Sequence, residues 1–97
     1  MICTYLIEDY PGHPTEVWGL RQLYAGRNPG EAQRRRKLHI GYGARPDAFA
    51  IVRASSRREA FDKAIPILLR AKARNARETL DDYIARRFER SPIGRYT

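Results

Sequence analysis

The sequence predicts an α+β domain: a small antiparallel β-sheet of three to four strands, covered on one face by two C-terminal helices. Three observations support this prediction. Segments rich in β-branched and aromatic residues come first, two long amphipathic segments come last, and glycine and proline mark the connections. The chain has 97 residues, of which 42% are hydrophobic. That is enough for one folded domain spanning residues 1–97.

The N-terminal part predicts two paired strands. Residues 2–7 have the β-branched and aromatic composition of a strand, and the Pro-Gly-His-Pro sequence at 11–14 is a turn cluster that ends it. Residues 15–24 are ambiguous, because their apolar side chains fit both helical and strand spacing. A second strand that pairs back on the first is favoured, since the link between them is short.

A helix start signal follows this hairpin. Asn28 is suited to the N-cap, Pro29 to the first helical position and Glu31 to the third. These residues predict a short helix that ends near Arg36. The alternative is a basic loop over residues 27–36.

The middle of the chain predicts a second hairpin. Residues 38–42 alternate apolar and polar side chains, which is typical of a half-buried strand. Residues 43–47 contain a Gly and a Pro and predict a turn. Residues 48–54 are then expected to form the partner strand.

Two helices are predicted at the C-terminal end. The sequence Ser-Arg-Arg-Glu at 56–59 is a capping box, and apolar residues then recur at helical spacing. Pro66 is expected to kink this helix near Ile65. A second capping box at residues 75–78 predicts another helix after a bend near Asn75, and the Ser-Pro pair at 91–92 ends it.

The charge of the chain is strongly asymmetric. Residues 1–20 contain no lysine or arginine, and residues 21–97 contain all 19. Together with the 11 acidic residues of the chain, they give a formal net charge of +8. Sixteen of the 19 are arginine, whose guanidinium group matches phosphate oxygens bidentately. A GC-rich genome also explains the preference for arginine over lysine, but it explains the excess of positive charge less well. The charge therefore predicts a polyanionic partner.

Two groups of basic residues are the candidate binding residues. The first, here called the tetrad, consists of Arg34, Arg35, Arg36 and Lys37. The second, here called the stripe, consists of Lys63, Arg70, Arg74 and Arg77. The stripe residues fall within about 60° of one another if their helix persists through Asn75. Either group is also compatible with an ordinary solvated surface. Whether the two groups form one continuous surface is the test of the nucleic-acid hypothesis, which loses most of its force if they lie on opposite sides of the domain.

Base recognition is less well supported than phosphate contact. Tyr42 and Tyr96 lie near basic residues and are candidates for stacking on bases. The sequence has no dense set of aromatic residues, which favours contact with the phosphate backbone over base readout.

Enzymatic, metal-binding and membrane functions find little support. The chain has two histidines and a single cysteine, Cys3, which is too few for a zinc site, and it has no phosphate loop or local catalytic motif. We therefore expect no enzyme, no cofactor, no metal and no small-molecule substrate. No apolar run approaches the roughly 18 residues of a membrane span. The single cysteine and the lack of a basic start to the N-terminus predict a cytoplasmic protein.

These observations lead to one main hypothesis and two others. The main one is a small basic nucleic-acid-binding protein that contacts the phosphate backbone through arginine clusters. The first alternative is a small phage or mobile-element effector, similar in size and charge to anti-CRISPR inhibitors, that binds an acidic surface of a host protein complex. The second is a subunit of a larger assembly. The sequence leaves open the choice between DNA and RNA and the oligomeric state.

Overall fold

The computed structural model describes residues 1–10 and 19–89, and the side chains of all of these except residues 88 and 89. Three antiparallel strands form one sheet in the order β2–β1–β3. The strands are β1 (Cys3–Asp9), β2 (Leu20–Gly26) and β3 (Phe49–Ala54). The helices are α1 (Pro29–Gly41), α2 (Arg57–Asn75) and α3 (Leu80–Ile84), with a 3₁₀ turn at Pro46–Ala48 and a π-helical turn at Ala85–Glu89. The predicted α+β class and the predicted number of strands are confirmed.

Some predictions concern residues outside these ranges. The turn at 11–14, the first part of the ambiguous segment and the C-terminal tail with Tyr96 lie outside the described residues. Within the described ranges, none of the helices has both the length and the hydropathy needed to cross a bilayer.

Strand β1 is the centre of the sheet. It pairs with β2 along one edge and with β3 along the other, so that Thr4 lies opposite both Gly26 and Arg53. Residues 4–9 are all buried, because strands cover both edges of β1 and helices cover both faces. The part of the chain without basic residues thus supplies the central strand, and the strand interpretation of residues 20–24 is confirmed.

Helix α2 covers one face of the sheet. Tyr5 and Ile7 of β1 and Val52 of β3 form a core with it. The α2 side of this core consists of Ala60, Ala64 and Leu68, all fully buried. Their four-residue spacing places them on one side of the helix, and the two alanines allow the helix to approach the sheet closely.

Helix α1 covers the opposite face. Leu6 of β1 and Phe49 of β3 pack with Ala32 and Ile40 of α1. Neighbouring residues of a strand point to opposite faces, so α1 and α2 lie on opposite sides of the sheet. The prediction of helices on one face was therefore incomplete, because the domain has three layers rather than two.

The prediction of a strand at residues 38–42 is wrong, because residues up to Gly41 belong to α1. Asn28 caps α1 as predicted, since its Oδ1 accepts a hydrogen bond of 3.2 Å from the backbone N–H of Glu31. The helix then continues past Arg36 to Gly41. The short alternation at 38–42 is equally compatible with the edge of a helix, on which His39 and Ile40 are partly buried and Leu38 is exposed. Strand β3 therefore pairs with β1 and not with a hairpin partner.

Helix α2 begins at the predicted capping box and extends to the predicted bend near Asn75. Ser56 Oγ accepts a hydrogen bond of 3.1 Å from the backbone N–H of Glu59. The helix continues through Pro66 to Asn75 without a break in its assignment. Pro66 therefore does not divide it into two helices, and the kink expected near Ile65 stays a prediction.

The bend predicted near Asn75 is present, but the predicted cap is not. Helix α2 ends in a Schellman motif, in which the N–H of Glu78 donates to the carbonyl of Ala73 and that of Arg77 donates to Arg74. Arg77 takes the left-handed conformation, with φ of 56°, where glycine is usual. The next helix is capped by Thr79, whose Oγ1 accepts from the N–H of Asp82, and not by Asn75.

A buried ionic cluster joins β1 to the C-terminal elements. The side chain of Asp9 is fully buried, and its Oδ2 lies 3.2 Å from Lys72 Nζ and 2.9 Å from Arg87 Nη2. The hydroxyl of Tyr83 accepts a further hydrogen bond from Arg87. The cluster thus fixes the end of the central strand against α2, α3 and the π-helical turn.

Candidate functional site

The tetrad is divided among different sides of α1. Successive residues of a helix are about 100° apart, so four consecutive side chains cannot share one face. Arg34 and Lys37 are exposed on the outer side of the helix, whereas Arg35 and Arg36 are partly buried at its flanks.

Arg35 joins α1 to strand β2. The register of β1 and β2 passes from Leu6–Tyr24 to Ile7–Gln22, which leaves Leu23 as the extra residue of a β-bulge. Arg35 Nη1 donates to the carbonyl of Leu23 at 3.4 Å, and its guanidinium carbon lies 5.0 Å from the centre of the Tyr24 ring. Arg35 therefore stabilises the bulge and is not available for a partner in this conformation.

Arg36 has a comparable structural contact on the other flank. Its Nη2 donates to the carbonyl of Pro46 at 3.2 Å, and this contact ties α1 to the 3₁₀ turn before β3. Half of the tetrad thus contributes to the packing of the domain.

Glu31 supplies the counter-charge for the tetrad. Its carboxylate accepts hydrogen bonds from Arg34 Nε at 2.9 Å and Arg35 Nε at 3.1 Å. The hydrogen bond from Arg34, followed by that from Arg35, lowers the pKa of Glu31 from 4.5 to about 2. The same contact raises the pKa of Arg34. Lys37 has no ionic partner among the described residues.

An exposed aromatic ring lies beside the outward-facing part of the tetrad. Tyr42 follows the last residue of α1 and is 86% exposed, and Leu38 is 44% exposed. A shallow groove of about 360 Å³ is lined by Arg34, Lys37, Leu38, Gly41 and Tyr42. These five residues are here called the α1 face. Leu38 was missed by the sequence analysis, because the strand predicted at 38–42 did not place it beside Arg34.

Three residues of the stripe, Lys63, Arg70 and Arg74, are exposed on α2, whereas Arg77 lies in the turn after the helix ends at Asn75. The helical spacing that grouped Arg77 with the other three therefore does not apply to it. Lys63 is held by Glu59 at 3.1 Å and also donates to the carbonyl of Arg53 on the edge strand β3 at 2.8 Å. The side chains of Arg70, Arg74 and Arg77 are exposed and make no hydrogen bond or ion pair within the described residues. These three arginines are here called the α2 face.

The structure does not bring the tetrad and the stripe together. Helix α1 packs on the sheet face that contains Leu6, and α2 packs on the face that contains Tyr5 and Ile7. The sheet therefore separates the two groups, so they do not form one continuous basic surface, and binding of one nucleic acid by both groups together loses most of its support.

Comparisons with protein-family models, with curated proteins and with solved structures find no match to this chain.

The two basic faces differ in the side chains that they present. The α1 face combines two cations with an aromatic ring and an apolar side chain, whereas the α2 face holds three guanidinium groups.

A cleft of about 510 Å³ with charged residues in its walls lies at the end of β1, and sequence analysis did not identify it. Its charged walls largely neutralise one another, since Glu8 pairs with Arg21 at 2.6 Å and Asp9 pairs with Lys72. His39, which lines the cleft, lies 6.0 Å from the Phe49 ring between ring centres. Among residues 1–10 and 19–89, no group of three or more His, Cys, Asp or Glu side chains has a metal-binding arrangement.

Proposed function

We propose that the protein binds single-stranded nucleic acid through the α1 face, with Arg34 and Lys37 on phosphates and Tyr42 stacked on a base. The observation that supports this most directly is the tyrosine ring, which is 86% exposed in the same groove as two cations. A base stacked on an aromatic side chain contributes about 1–3 kcal/mol, and nearby cations add the attraction for the backbone.

The arrangement favours single strands over duplexes. Bases are free to stack on a side chain only where they are unpaired. A duplex is held mainly through many phosphates, which requires a broader basic surface than Arg34 and Lys37 provide. The net charge of +8 favours association with either form at low salt.

Fluorescence anisotropy with a labelled 20-nucleotide single strand and the matching duplex tests the proposal. Affinity is expected to fall with salt, with a log–log slope of about −1.4 for two phosphates on a single strand. Tyr42→Ala is expected to weaken single-strand binding about 5- to 150-fold, which corresponds to the loss of one stacked base.

Tyr10→Ala is the matched control for this measurement. Tyr10 is also an exposed tyrosine next to an arginine, Arg21, but it lines the cleft at the end of β1 and does not line the groove of the α1 face. Its substitution is expected to leave binding unchanged. Absence of binding at about 50 mM salt, or equal losses for the two variants, would contradict the proposal.

A second candidate function is binding to an acidic surface of a host protein complex, as an inhibitor encoded by a phage or mobile element would do. The exposure of Leu38 next to Tyr42 favours this candidate, because an apolar centre with a charged rim is typical of protein interfaces. Leu38→Gln is expected to abolish recovery of a nuclease-resistant protein partner in a pull-down. The same variant is expected to change single-strand binding by less than about twofold, because Leu38 contributes neither charge nor an aromatic ring.

A further inference from the structure

The α2 face is a second cationic surface without an internal counter-charge. Arg70 and Arg74 are one helical turn apart, about 6 Å along the axis of α2, so both side chains project along the same line. They differ from Lys63, Arg86 and Arg34, each of which has a carboxylate partner. These two guanidinium groups on α2, with that of Arg77 in the turn after the helix, are suited to phosphates of one strand.

The backbone conformation of Arg77 is an independent indication that this surface has a function. Its left-handed φ of 56° is unfavourable for any residue with a Cβ, at a cost of about 1–2 kcal/mol relative to the right-handed conformation. Glycine would avoid that cost at this position. The chain nevertheless has an exposed arginine there, three residues after Arg74, and strained positions of this kind concentrate at functional sites.

The two faces are far enough apart to be occupied together. The sheet lies between α1 and α2, and the domain measures 40 × 28 × 25 Å. The Debye length is about 10 Å at 0.1 M salt, so phosphates held on one face are largely screened from phosphates held on the other.

We propose that one molecule of this protein bridges two nucleic-acid segments, one on the α1 face and the other on the α2 face. This inference rests on the proposed function, since it takes the α1 face as the first nucleic-acid site. On the α2 face, binding depends on phosphates alone, and it is therefore indifferent to sequence and more sensitive to salt than binding on the α1 face. The salt slope expected for three phosphates on a single strand is about −2.1.

A capture assay tests bridging directly. A biotinylated 12-nucleotide single strand is immobilised, and retention of a second, fluorescent 12-nucleotide strand of non-complementary sequence is measured over a range of protein concentrations. Retention is expected to rise and then fall as protein exceeds the strands, because excess protein places the two strands on different molecules. Sedimentation of the mixture is expected to give two strands per protein chain, and sedimentation of the protein alone shows whether it is a monomer.

Variants separate bridging from binding. The double variant Arg70→Gln and Arg74→Gln is expected to bind a single strand through the α1 face within about twofold of the original affinity. The same variant is expected to reduce the fluorescence retained in the capture assay at least about tenfold. The double variant Arg57→Gln and Arg58→Gln is the matched control, because it removes the same charge from the first turn of α2, and it is expected to retain bridging. Circular dichroism checks that all variants are folded.

The outcomes distinguish the two proposals. Failure of the wild-type protein to bind any strand would overturn both. Normal binding with one strand per chain and no retention would overturn bridging alone. Equal retention by the Arg70/Arg74 variant, or retention that only increases with protein concentration, would also overturn bridging through the α2 face.

Discussion

Replacement of Asp9 by asparagine is expected to destabilise the domain severely. The Asp9 side chain is fully buried and holds two cations, Lys72 and Arg87, which are only 19% and 15% exposed. Asparagine preserves the shape of the side chain but removes the negative charge that both cations contact in a largely buried position. Breaking a buried pair in this way costs about 3–5 kcal/mol. The two cations retain some contact with water, so we expect a value near the lower end, about 3 kcal/mol.

A loss of this size is a large part of the stability of a domain with 97 residues, for which about 5–15 kcal/mol is usual. It corresponds to a fall in Tm of about 12–24 °C. Urea unfolding followed by circular dichroism gives the free energy, and Asp62→Asn on the exposed side of α2 is the control. Adding Lys72→Met to Asp9→Asn is expected to restore part of the loss, since one buried cation is removed. A loss below about 1 kcal/mol for Asp9→Asn would refute the reasoning.

Three further predictions concern local features of the helices. Arg77→Gly is expected to raise the free energy of unfolding by about 0.5–1 kcal/mol, because relief of the left-handed strain exceeds the added entropy of the unfolded chain; a lower urea midpoint would contradict this. Pro66→Ala restores a backbone N–H donor inside α2 and is expected to raise the free energy of unfolding by about 1–3 kcal/mol. An unchanged or lower free energy in urea unfolding would contradict this. Glu31 has a pKa lowered from 4.5 to about 2, so its stabilising contribution is present above pH 4.5 and is lost as the pH falls through 2. Glu31→Gln is therefore expected to make stability less dependent on pH between 4.5 and 2, and at pH 7 to tighten strand binding by releasing Arg34; weaker binding would count against the α1 face.

The local signals in the sequence predicted much of the fold. Asn28 and Ser56 cap helices as expected, because a side-chain oxygen that accepts from the third residue of a helix is a short-range interaction. The strands at the N-terminus and at residues 49–54 are also present, because their composition is suited to buried sheet positions.

Long-range arrangement was not predictable in the same way. Nothing in the sequence near β3 indicates that its partner is β1, with Arg53 opposite Thr4 across 49 positions of the chain. The alternation at 38–42 is only five residues long, and so short a pattern does not distinguish a strand from the edge of a helix. Once that segment is helical, β3 has no neighbour in sequence with which to form a hairpin.

The candidate site shows the same limit. A run of four basic residues does not reveal that Arg35 binds the carbonyl of a bulge or that Arg36 binds Pro46, because both contacts join segments distant in the chain. The sequence also does not show that the sheet separates the tetrad from the stripe. Helical spacing identified Arg70 and Arg74 as exposed neighbours, since that relation is contained within one helix.

The central position of β1 has a consequence for synthesis on the ribosome. Residues 4–9 are made before β3, and the strand that completes their pairing ends at residue 54, which at 5–20 residues per second is made several seconds later. During that interval β2 protects one edge of β1 and its other edge is open, although the strand carries apolar side chains on both faces. Such an edge is prone to pair with other chains. We therefore expect that the yield of folded protein depends on how fast residues 27–54 are translated, and that slow codons in this segment promote aggregation.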